Sequence, residues 1–315
     1  MKSRRPVPSL AGLASASTPR AASGGLLIFF ALSYAITWAA FITVARWVPV
    51  TTAAGYALVL SGAYTPGIVA LLLTASIEGG RGVSALLRRI LIADVPMRFY
   101  VLALTYITVV KITAAVLHRL IIGEWPPFGT GSLALIPLAI LFSTPFQAGE
   151  ELGWRGFALP RLASRFGLRI AAVLLGMIWA FWHLPQFYIA GGDAYHQPFV
   201  VWAAQVIAIG VALAWLYAKT GGSLLLVMLM HAAINNSKDI VSSGAVTPPG
   251  VFSLNAPLMA WLTLGLQWIW AAWFLTRMPA KLELRQVDGR PAGRSDDWHY
   301  LPEPKTKPID RSTGL

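Results

Sequence analysis

The sequence predicts an all-α, polytopic membrane bundle of about eight transmembrane helices, with both termini in the cytoplasm. Three observations predict it. The 315 residues are 56% hydrophobic and only 12% charged, with a mean hydropathy of +0.62, as expected of a chain solvated by lipid. Apolar runs of roughly 20 residues recur along the chain, the length that crosses a bilayer as a helix. The basic residues alternate between the connections. Cysteine is absent, which excludes disulfides and cysteine-ligated metal centres. The net charge of +12 does not point to nucleic acid, because no phosphate loop or basic helix face accompanies it.

Residues 1–24 are polar and basic, with Lys2, Arg4, Arg5 and Arg20, and read as a disordered cytoplasmic arm before a retained first helix. The transmembrane domain covers 25–279, with spans expected near 25–47, 54–77, 99–121, 133–154, 170–190, 199–218, 222–241 and 256–276. Pro66 is expected to kink the second span, which a bundle tolerates when a neighbour satisfies the freed carbonyl. Gly79-Gly80, Pro126-Pro127, Gly191-Gly192, Gly221-Gly222 and Pro248-Pro249-Gly250 punctuate the connections. Residues 280–315 are polar and rich in proline and read as a disordered tail. With eight spans, all of the 25 Lys and Arg except Arg46, Lys111, Arg119 and Lys238 fall at one face. That bias assigns this face to the cytoplasm.

Polarity inside the spans is sparse and concentrated, with the core motifs between 145 and 240. The fourth span ends with Glu150, Glu151 and Arg155, the fifth carries Trp179 and His183, and the seventh carries His231 and Asn235. Glu151 and Arg155 are four apart and can pair along one helix face, and His231 and Asn235 share a face in the same way. Glu150 lies about 100° round the helix from Glu151 and is expected to be the unpaired carboxylate. Trp179 sits one turn before His183 and can pack on its ring. Taking Pro160 as the helix end puts Glu150 about 15 Å from the cytoplasmic face, with His231 at about 13 Å and His183 at about 20 Å. The groups are therefore compatible with one cavity in the inner to middle part of the bundle, opening towards the cytoplasm. Lys111 is the one further cation within a span.

A carboxylate in a low-dielectric cavity suits a general base acting on water, with an imidazole holding that water. A second imidazole and a carboxamide supply donors for a developing oxyanion. Water-driven acyl hydrolysis follows, since no cysteine and no G-x-S-x-G word supports a covalent nucleophile. A structural reading of the same residues stands beside it. Glu150 and Glu151 can cap a short helix at the interface, each histidine can be a satisfied interhelical bond, and Trp179 and Trp182 can be packing aromatics.

These words also carry a resemblance. Glu150-Glu151-x-x-x-Arg155, Trp179-x-x-x-His183 and His231-x-x-x-Asn235 resemble, in order, the three motifs of the CPBP (Abi) family. That family comprises intramembrane glutamic endopeptidases related to CAAX-processing proteases and to bacteriocin-processing or immunity proteins. The likeness runs over roughly 55–240, including Thr65-Pro66-Gly67 and Leu86-Leu87-Arg88-Arg89. One departure is Trp179, where the family usually has Phe. The resemblance implies that Glu150 and His183 activate water, that His231 and Asn235 form the oxyanion hole, and that Glu151, Arg155 and Trp179 support them. It implies a multi-pass protein of the plasma membrane, with lipids and a peptide or lipidated protein as partners. The substrate bond would lie near the C-terminus of a membrane-associated protein or peptide, a class that includes prenylated CAAX-like proteins. No cofactor is expected; in a zinc-dependent variant Glu150, His183 and His231 would be the ligands. The competing class is a non-enzymatic membrane immunity or scaffold protein. Transport is disfavoured, because Lys111 alone would continue a charged path to the far face.

Overall fold

The structure, a computed structural model, describes residues 19–285 except 196, 239 and 243–249. Most of the expected arm and tail, with His196 and His299, therefore lies outside the described residues. Among these residues the chain forms eight helical rods. They are α1 (Pro19–Arg46), α2 (Ala53–Arg88), α3 (Met97–Ile122), α4 (Leu133–Phe166), α5 (Leu168–Trp182), α6 (Phe199–Lys219), α7 (Leu224–Ser237) and α8 (Leu258–Arg277). All except α7 are long and apolar enough to cross a membrane, α5 together with the 3₁₀ turn that carries it on to Tyr188. Their outer faces expose large apolar side chains such as Leu72, Leu120, Phe142 and Ile269. Lipid is the solvent that makes such a surface stable. The protein is multi-pass.

The rod ends alternate between two faces, as the basic residues require. At one face, Arg161 of α4 pairs with Glu78 of α2 at 2.5 Å, the Ser223 hydroxyl donates to the Ile92 carbonyl, and Arg285 approaches Asp94 after α8. Arg81, Arg88, Arg98, Arg165, Arg169 and Lys219 belong to this basic face. At the opposite face Lys238 pairs with Asp193 at 3.5 Å, and the connection after α7 bonds to the one after α3 through Gly129 and Ile240.

Pro66 lies inside α2, and its missing N–H frees the Gly62 carbonyl. The Thr37 hydroxyl of α1 donates to that carbonyl at 2.8 Å, so the neighbour expected to satisfy it is present. The actual break in α2 is at Gly79, whose φ of +68° interrupts the helix, and helical structure then resumes to Arg88. Close approach of α2 to α4 needs glycine. A Cβ at Gly153 would lie 2.7 Å from the Pro66 carbonyl oxygen, and one at Gly67 would lie 2.7 Å from that of Gly149.

Two further span boundaries change. The fourth span runs on past 154 to Phe166, because Leu152–Ala158 widens into a π-turn and Pro160 then starts a new α segment rather than ending the helix. Proline's missing N–H is harmless in such a first turn. The seventh span is shorter than expected: α7 is 14 residues, about 21 Å long, and does not cross the full bilayer. It is apolar on almost every side because α3, α4 and α6 surround it.

Replacing Thr37 with Val, which keeps the shape and removes the donor, should destabilise the protein by about 1–3 kcal/mol. Adding Pro66→Ala, which restores a backbone N–H for Gly62, should recover part of that loss. Thermal unfolding of the two single variants and the double variant in detergent checks both outcomes.

Candidate active site

Three rods bring the motif side chains together around one indole. The Trp179 Nε1–H of α5 donates to Glu150 Oε2 of α4 at 2.7 Å. The His183 ring stands edge-on to the Trp179 ring at 5.4 Å between centroids, and the His231 ring of α7 does the same at 5.4 Å. The Arg155 guanidinium lies over the Trp179 face at 4.4 Å, a contact that holds the indole plane by cation–π attraction. Glu150 is also within electrostatic reach of His183. The expected packing of Trp179 on His183 is present. Glu150, expected to be the unpaired carboxylate, accepts this hydrogen bond from a neutral indole at Oε2, which leaves Oε1 as its other oxygen.

Beneath this lies a buried ion cluster. Arg155 Nη1 contacts both Glu151 oxygens, at 2.9 and 3.1 Å, in the expected i, i+4 pair. His231 Nδ1 meets Glu151 Oε1 at 2.8 Å, joining α7 to α4 across the core. Glu151 and Arg155 are both 0% exposed. A charge so deep persists only when paired and hydrogen-bonded. Glu151 is therefore the partner of Arg155 and also of His231, a second role that helix spacing within α4 does not reveal.

The ring nitrogens follow from their partners. His183 Nδ1 sits 2.7 Å from the Trp179 carbonyl, which can only accept, so Nδ1 carries the hydrogen and Nε2 is free. His231 Nδ1 faces a carboxylate and likewise leaves Nε2 free. His183 is held in place at the end of α5, where the Trp38 indole of α1 donates to the Trp182 carbonyl at 3.0 Å and Tyr34 donates to that of Ile178.

Asn235 lies one turn beyond His231 and its Nδ2 reaches Gln147 Oε1 at 3.5 Å. Asn236 bonds to the Ser143 hydroxyl at 2.7 Å. Gln147 and Ser143 escape a search for charged motif residues. The signal was available, since Gln147, Glu151 and Arg155 recur at i, i+4 along one face. Lys111 is buried within α3 and is engaged there rather than free.

The cluster is deeper than expected. Because α4 continues to Phe166, Glu150 lies roughly 24 Å from the end of its rod at the basic face. A cleft of about 240 Å³ lies at the opposite face, lined by Trp38, Ile42, Arg46, Leu184, Pro185 and Tyr188. For zinc, the donor set does not fit: among the described residues no three His, Asp or Glu side chains converge as ligands. Chemistry on these residues is therefore derived without a metal.

Removing the cation from the ion cluster leaves Glu151 with His231 alone. Arg155→Ala should cost about 3–5 kcal/mol, as expected for breaking a buried pair. A fall in unfolding temperature in detergent measures it, against Arg165→Ala as an exposed control.

Residues 130–237 match the family model described as type II CAAX prenyl endopeptidase Rce1-like. That interval holds Glu150, Glu151, Arg155, Trp179, His183, His231 and Asn235. A CAAX prenyl protease 2 of Methanococcus maripaludis is 28% identical over 123 residues, which are 36% of this chain and 43% of that protein. The chain thus spans less than half the length of the curated relative it matches. The segment that builds the cluster is thus similar to CAAX-protease-related membrane proteins of the CPBP family, in their Rce1-like form.

Proposed function

We propose that the protein is an intramembrane endopeptidase that hydrolyses a peptide bond near the C-terminus of a membrane-associated protein or peptide. The observation that carries the proposal is the convergence of Glu150, His183 and His231 on Trp179 from three separate helices. The name of the archaeal relative, a CAAX prenyl protease, supports a lipidated C-terminal substrate.

In this reading, a water sits between Glu150 Oε1 and His183 Nε2. Glu150 takes a proton as the water oxygen attacks the scissile carbonyl carbon. The carbonyl oxygen becomes an oxyanion, which accepts hydrogen bonds from His231 Nε2–H and Asn235 Nδ2–H. Collapse re-forms the carbonyl and breaks the C–N bond, and the leaving nitrogen takes the proton back from Glu150. The second product is a carboxylic acid. For His231 to donate at Nε2 while Nδ1 donates to Glu151, the ring has to carry both protons, and Glu151 is the counter-charge in contact. Trp179 holds Glu150 by its other oxygen, which aims Oε1 at the water.

Purified protein in lipid nanodiscs, assayed on lipidated and unlipidated C-terminal peptides, tests the proposal. Glu150→Gln should lower the turnover rate by about 10²–10⁴-fold, and Asn235→Ala by about 10²–10³-fold. Retained hydrolysis in Glu150→Gln would sink the general-base role. Activity should survive a chelator; loss restored by zinc would favour the metal-dependent variant. Failure of the unaltered protein to cut any peptide would favour a non-enzymatic immunity or scaffold role.

Trp179→Phe keeps an aromatic ring and removes only the N–H bond to Glu150. A hydrogen bond to a charged group contributes about 1.5–3 kcal/mol, so the turnover rate should fall roughly ten- to a hundredfold with little change in unfolding temperature. An unchanged rate would mean that the indole bond does not position the base.

A further inference from the structure

The Leu86-Leu87-Arg88-Arg89 word takes no part in the motif cluster, and its last residue borders a second polar site. A pocket of about 150 Å³ lies between α2 and α4 at the basic face. Its lining includes Thr74, Glu78, Gly82 and Arg89 along α2, Arg161 of α4, and Leu284 from the chain after α8. A single water needs roughly 10–15 Å³ of such space, so the pocket has room for a polyatomic guest. Two of its groups lack partners. Arg89 Nη1 and Thr74 Oγ1 are buried without a hydrogen bond among the described residues. A buried guanidinium donor left unpaired is costly, so this pair calls for an acceptor. Arg161 is already held by Glu78 at 2.5 Å. Arg89 and Arg161 against Glu78 leave one positive charge over. Glycine keeps the space clear, since a Cβ at Gly82 would lie 2.8 Å from Glu78 Oε2.

Depth and surroundings narrow the guest. From Ala53 to the break at Gly79, α2 runs about 39 Å, longer than the ~30 Å hydrocarbon core of a bilayer. Glu78, Gly82 and Arg89 therefore stand at headgroup level, while Leu72 and Ile77 below them are exposed as lipid-facing surface. We infer that the pocket binds the phosphate of an anionic phospholipid. Arg89 Nη1 and the Thr74 hydroxyl donate to its oxygens, and its acyl chains lie against the lipid-facing side of α2. A guanidinium suits the paired oxygens of a phosphate. The single negative charge of a phosphodiester offsets the single excess positive charge, whereas the Glu78 carboxylate repels a dianion.

Native mass spectrometry of the full chain, stripped of lipid in detergent, tests this with phosphatidylglycerol and phosphatidylcholine of matched acyl chains. One phosphatidylglycerol should be retained in preference to phosphatidylcholine. Arg89→Gln should weaken its binding about ten- to a hundredfold, as expected for loss of a charge-assisted hydrogen bond. Arg88→Gln removes the same charge from a neighbour outside the pocket lining and should leave binding nearly unchanged. Glu78→Gln removes the competing carboxylate and should tighten binding, a gain that a damaged fold does not produce. That arm carries the test if Arg89→Gln does not fold. Equal weakening by Arg88→Gln and Arg89→Gln would reveal diffuse attraction to a basic surface and overturn the inference. Equal retention of the two lipids, or weaker binding in Glu78→Gln, would also overturn it. Inorganic phosphate that raises the unfolding temperature as much as phosphatidylglycerol would make the guest a free anion and overturn the lipid assignment. None of these outcomes depends on hydrolysis.

Discussion

The arrangement of the core depends on one buried interaction, the Glu151 carboxylate held between Arg155 and His231. In a lipid-surrounded bundle there is little hydrophobic gain in bringing one apolar helix against another, so polar contacts decide register. Glu151 satisfies a cation on its own helix and an imidazole on α7, and each would be costly alone. The pair fixes the depth of α7 against α4. That in turn sets His231 edge-on to Trp179 and places Asn235 beside Gln147. The two adjacent glutamates thus divide the work: Glu151 holds the bundle, and Glu150, turned towards Trp179, keeps one oxygen open.

Backbone irregularity serves the same end. The π-turn at Leu152–Ala158 follows directly after the glutamates, and α4 meets α2 through glycines on both sides. Wide turns and close backbone approach are common where a helix must aim side chains that a regular repeat would misplace. The Pro66 gap in α2 lies against this same stretch and is closed by Thr37 from α1. Irregular backbone is tolerated at membrane depth here because protein groups satisfy it.

Much of this was legible in the sequence, because it is written in local spacing. Apolar runs gave the rods, i, i+4 spacing gave the Glu151–Arg155 pair, and the basic residues gave the alternation of ends. What was not legible depends on distance between helices. The His231–Glu151 bond joins residues 80 apart in sequence, and the Trp179–Glu150 bond joins residues 29 apart. No periodicity encodes either. Pro160 misled because proline normally ends a helix, whereas after a π-turn it begins one. The length of α7 misled because an apolar run does not distinguish a helix facing lipid from one enclosed by protein.

In the proposed mechanism Glu150 activates water and does not itself attack the peptide. A single turnover in oxygen-18 water, with mass spectrometry of both product and enzyme, addresses it directly. Water attack puts the label in the new carboxylate of the product and leaves Glu150 unlabelled. Label in Glu150, with an unlabelled first product, would reveal an anhydride intermediate and contradict the claim.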